Sequence, residues 1–146
     1  MSIKQQVKNL IIEFAKELEK KEAFNTELIQ FKLKLKAQIL EILNISQEKE
    51  LKMTLFKEVV EGVNEALVEV TKGFNYENEK LMEREIMFLE ALSEVLKEFL
   101  ASNYISDKHE LSQLIAKISK LVERIRLELK EKKGGILKKI KNLFRR

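Results

Sequence analysis

Apolar residues recur at three- and four-residue intervals almost without a break from Ile3 to Leu129, which is the repeat of helices that each bury one face. Ser2 and Gln5 have the spacing of a capping box, and open a first helix to about Lys21 with Ile3, Val7, Leu10, Ile11, Phe14 and Leu18 on its inner stripe. Asn25 and Thr26 offer a cap for a second helix to about Leu43, with Leu28, Phe31, Leu35, Ile39 and Ile42 facing in. Its phase hardly differs from the first, so a single long kinked helix is the alternative. The stretch "FKLKLK" alternates with period two, but its flanks keep the helical repeat, and helix is the reading. This segment also carries a second apolar line, Ile29, Leu33, Ala37 and Leu40, which calls for cover on a second side and marks the expected self-association surface.

Asn44 to Ser46 supplies the next break. A third helix then runs to about Lys72 and stops at Gly73, with Leu51, Leu55, Val59, Val63, Ala66 and Val70 inside. Along its outer side lie Glu50, Glu58, Glu61, Glu65 and Glu69, the pattern of a solvated face or of a surface for a basic partner. Asn75 can cap a fourth helix, carrying Leu81, Phe88, Leu89, Leu92, Leu96 and Phe99. Ser106 can cap a fifth, with Leu111, Ile115, Ile118, Val122, Ile125 and Leu129 facing in. Connections this short favour antiparallel neighbours, so the expected fold is all-α: an up-and-down bundle of four or five helices spanning residues 1–133.

Charge changes the picture at one end only. The formal net charge is +4, yet Lys132, Lys133, Lys138, Lys139, Lys141, Arg145 and Arg146 follow the last acid, Glu131, leaving 21 basic against 24 acidic side chains in residues 1–131. The body is mildly acidic and the tail makes the chain basic. Gly134 and Gly135 read as a hinge that ends the fifth helix, and residues 134–146 as hinge plus a short amphipathic helix. On a helical wheel Ile136, Leu137, Ile140, Leu143 and Phe144 fall within an arc of about 120°. Lys138, Lys139, Lys141, Arg145 and Arg146 occupy the other side. A bulky apolar face opposite an acid-free basic face suits a helix lying in an anionic membrane surface, so these ten residues are the expected membrane-binding set.

The segment "GGILKKIKNLFRR" resembles the C-terminal membrane-targeting helices of bacterial division-site ATPases and of the actin-like division protein that tethers the division ring. The resemblance covers about a dozen residues. It implies a reversible contact with anionic lipid and nothing of the ATPase activity, because residues 1–131 carry no nucleotide-binding motif. The expected location is cytoplasmic, peripheral on the inner face of the membrane, with homo-oligomers adding the strength of several weak tails. A protein groove for the tail is the first alternative partner. Nucleic acid is the second, disfavoured because Phe144 is the tail's only aromatic for base stacking.

Catalytic patterns are missing. There is no cysteine, no proline and one histidine, His109, which stands beside Asp107 and Glu110 at the start of the fifth helix. No Glu-x-x-His pair suggests a metal, and no glycine-rich loop suggests a nucleotide, so no cofactor and no enzymatic activity are expected. The N-terminal "MSIKQQVKNLIIEF" lacks the apolar core of a secretory signal, and no segment approaches the roughly 20 apolar residues of a membrane span. One residue breaks the pattern: Glu85 falls among Leu81, Phe88, Leu89 and Leu92 on the apolar side of its helix. It must lie near a bundle end, pair with a cation from a neighbouring helix, or do chemistry.

Overall fold

In a computed structural model the chain forms five helices: α1 Ile3–Lys16, α2 Phe24–Leu43, α3 Lys49–Lys72, α4 Glu79–Ala101 and α5 His109–Phe144. The described residues are 1–144, with side chains described for 1–134 and for Leu143. Among them there is no strand, and the all-α helical bundle expected from the repeat is what forms.

Each boundary has a local cause. The Ser2 hydroxyl accepts from the Gln5 backbone N–H at 3.1 Å and starts α1. Helix α1 stops at Lys16, short of the expected Lys21, and a turn precedes α2, so the single kinked helix is not formed. The cause is tertiary: the Arg84 guanidinium of α4 takes the carbonyl of Leu18 at 2.5 Å and reaches that of Glu19 at 3.4 Å, leaving the Leu18 side chain buried at the turn. Asn78, not Asn75, caps α4, accepting from the Leu81 N–H, while Asn75 instead accepts from the Glu77 N–H in the preceding turn.

Cross-helix pairs set the directions. Lys4–Glu65 and Lys8–Glu69 advance together along α1 and α3, and Lys32–Glu94 and Lys36–Glu98 along α2 and α4, so each of these pairs is parallel. Arg126–Glu90 and Lys133–Glu83 run oppositely along α5 and α4. Ser106–Met53 and Lys117–Asn64 advance together toward and along α5 and α3, so sequential helices alternate up and down. The tightest packing nevertheless joins α1 to α3, two helices apart in the chain. All these ion pairs are partly exposed and define register more than stability.

Gly62 explains the α1–α3 contact. It is buried, and a Cβ built on it would stand 2.7 Å from the Lys4 backbone oxygen and 3.3 Å from Val7 Cβ. Two backbones meet there because one residue has no side chain. Gly62→Ala would gain about 1 kcal/mol of helix propensity but must push the helices apart, and a net loss of about 1–3 kcal/mol is expected. Gly134→Ala, with nothing within 4 Å, is the control and should be neutral or slightly stabilising. Urea melts of the two variants decide; a stabilised Gly62→Ala protein would refute the close crossing.

The core joins all five helices through Val7, Ile11, Leu35, Ile39, Val63, Leu67, Leu89, Leu92, Leu96, Leu111 and Ile118, each at most 2% exposed. Phe14 stacks on Phe31 and on Phe88 toward the end where α1 meets α2, and those two rings tilt against each other, with centroids 4.5–5.8 Å apart. Leu51, expected inside, is 40% exposed. On α2 the first apolar line is buried and the second is not: Ile29 and Leu33 are more than half exposed, Ala37 is exposed and Leu40 half-buried.

The other departure is at the C-terminus. Helix α5 runs from His109 to Phe144 without interruption, so Gly134 and Gly135 lie inside a helix where a break was expected. Two glycines weaken a helix by about 1 kcal/mol each relative to alanine, but strong helix formers on both sides allow it to propagate through.

Candidate functional site

Two features stand out at one end of the bundle, where α1, α3 and α5 finish and α4 begins. The first is the far end of α5. The pairs Glu90–Arg126 and Glu83–Lys133 are seven residues apart on each helix, and four residues further along this antiparallel register α4 begins at Glu79. Position 137 of α5 is level with that start. Beyond it α5 has no α4 beside it and continues for roughly 10 Å at 1.5 Å per residue. Leu143, in this stretch, is 75% exposed. The side chains of Ile136, Leu137, Lys138, Lys139, Ile140, Lys141 and Phe144, and Arg145 and Arg146 altogether, lie outside the described residues. Among the described residues no helix is long and apolar enough to cross a membrane.

The second feature is Glu85. Its place on the apolar side of α4 was legible from the helical repeat, and the structure buries it to 1% exposure near the bundle end. One oxygen, Oε1, accepts from the Asn75 backbone N–H at 3.1 Å and ties down the α3–α4 connection. The other, Oε2, is buried without a hydrogen-bond partner. Burial pushes the carboxyl up from its ordinary 4.5 to about 7, and the Asn75 N–H only partly opposes this. Its neighbour in sequence, Arg84, is turned away, with its guanidinium on the Leu18 carbonyl and over the Phe24 ring at 4.9 Å. No cation within ion-pair distance faces Glu85 among the described residues.

Glu85 lines a cavity of about 330 Å³ between the ends of α1 and α3 and the start of α4. Ile12, Leu18, Val70, Phe74 and Leu81 form most of its apolar wall, and Lys16, Glu19 and Glu69 its exposed rim. Tyr76 lies beside this group, in the α3–α4 connection. Its hydroxyl is pushed above the ordinary range by burial, then by Glu128 and Glu85, with Arg124 acting against them. The sequence offered no sign of the cavity, because its walls come from three separated segments.

The remaining candidates are plain. His109 is exposed, and its backbone N–H bonds to Asp107 Oδ1 at 3.1 Å in a turn that precedes α5. Of the outer glutamates of α3, Glu65 and Glu69 are engaged by Lys4 and Lys8 of α1. No family model, no curated protein and no solved structure matches this chain.

Proposed function

We propose that this chain is a non-enzymatic helical protein that associates peripherally with anionic membrane surfaces through residues 134–146. The observation that carries the reading is the run after Glu131: seven basic residues, no acid, and Ile136, Leu137, Ile140, Leu143 and Phe144 at positions that share one side of a helix. The helical backbone of α5 and its extension past the start of α4 support it. An end that outruns its neighbour can meet a flat surface without unfolding the body, and the glycine pair is the point where it bends most easily.

The strength follows from magnitudes. Each basic residue beside an anionic surface contributes on the order of 1 kcal/mol, reduced by salt, and partly inserted apolar side chains add a few more. Ordering a free segment would cost about 1 kcal/mol per residue, an expense lowered to the extent that the helix is already formed. One tail is a weak, reversible contact. The exposed line of Ile29 and Leu33 on α2 supports self-association, which would let several tails act together in a scaffold or regulator at the inner face of the membrane. Light scattering should show dimers or larger species at micromolar concentration, and a strict monomer would remove this part.

The test of the lipid contact is vesicle composition. The protein should sediment with vesicles rich in phosphatidylglycerol, much less with pure phosphatidylcholine, and less again as salt is raised. Salt-sensitive binding to oligonucleotides with no sedimentation on any vesicle would replace this reading with the nucleic-acid one.

A further inference from the structure

Glu85 has only half of its hydrogen bonding explained by the fold. Holding the Asn75 N–H needs one acceptor oxygen, and a glutamine carbonyl would serve without the penalty of burying an acid. The second oxygen is left buried and unpartnered, on a side chain that lines a cavity large enough for a small organic molecule. The remaining wall is mostly aliphatic and aromatic carbon, which suits an apolar body. At the rim Glu19 and Glu69 outnumber Lys16, and Glu69 is already engaged by Lys8 at 3.4 Å. Arg84, next to Glu85 in the chain, is committed to the Leu18 carbonyl.

We propose that the Glu85 cavity is a binding site for a small amphipathic amine: the Glu85 carboxyl turns Oε2 toward the cavity to accept from its ammonium group, while an alkyl or aryl body of about six carbons fills the space between Ile12, Leu18, Val70, Phe74 and Leu81. An ammonium supplies both what the oxygen lacks, a donor and a compensating charge. A neutral alcohol supplies the donor alone, and a carboxylate would meet repulsion from Glu85 and the rim glutamates. The site is independent of the membrane contact and stands or falls without it.

The experiment is a titration of the full chain with n-hexylamine at pH 8, followed by amide chemical shifts, with 1-hexanol and hexanoate as companions of equal length. Hexylamine should saturate with a dissociation constant on the order of 1 mM, as expected of so small a ligand, and shift the amides of residues around Glu85. Hexanol should bind at least tenfold more weakly and hexanoate not at all. Glu85→Gln, which keeps the size of the side chain and the acceptor for Asn75, should weaken hexylamine at least tenfold while leaving hexanol unchanged. The proposal is overturned if hexylamine fails to bind, if hexanol matches it, or if the glutamine variant binds the amine as well as the parent does.

Discussion

Replacing Glu85 by glutamine is expected to make the protein more stable at pH 8 by about 2–3 kcal/mol, and to change its stability at pH 5 by less than about 1 kcal/mol. The folded chain holds the Glu85 proton up to about pH 7, whereas the unfolded chain releases it near the ordinary 4.5. Between those values the native state binds more protons than the unfolded state, so stability falls as pH rises. The contribution is most favourable below pH 4.5, declines through the interval and levels off above about 7. Two and a half pH units correspond to about 3 kcal/mol, trimmed in the variant because the glutamine amide would also lack an acceptor at the Oε2 position. Other groups titrate over this range, so the informative quantity is the difference between parent and variant in urea unfolding at the two pH values. A difference that does not change with pH would show that the Glu85 carboxyl is not held in its neutral form by burial.

The second large effect concerns how the tail would hold a membrane. Leu137→Glu together with Phe144→Glu should abolish sedimentation with anionic vesicles, because each change sets a carboxylate at the depth of the acyl boundary; Ile140→Asp alone should remove most of it. These changes also lower the positive charge. Leu137→Gln with Phe144→Gln separates the causes, since it keeps every charge and removes two of the five large apolar side chains. Binding by the glutamine pair should drop at least tenfold. If that pair binds like the parent, charge attraction alone is at work and the tail does not insert.

The helical repeat carried most of the fold. The inner stripes of α1, α2 and α4 named from spacing are buried except for Ile3, Leu10 and Leu81, which are partly so, because a helix exposes its pattern within a few residues. What local pattern could not show is which helix meets which. Gly62 reads as an ordinary helix glycine, although small or β-branched neighbours at Val59, Val63 and Ala66 hint at a close crossing, and its role emerges only when Lys4 lies against it. The end of α1 was misplaced for the same reason: Arg84, which takes the Leu18 carbonyl, is 66 residues away. A glycine pair signals a helix end by a rule drawn from helices that stop, whereas here helix formers continue on both sides. At the candidate sites the order reverses. The tail's chemistry is written in residues 132–146 themselves, while the Glu85 cavity exists only where three segments converge.

The most direct measurement compares the full chain with a chain ending at Lys133 by sedimentation with vesicles of phosphatidylglycerol, after circular dichroism has established that both are folded. The full chain should go down with the vesicles and the shortened chain should stay in the supernatant, with equal helicity per residue in the shared body. Equal sedimentation of the two would contradict this and place any membrane contact on the bundle.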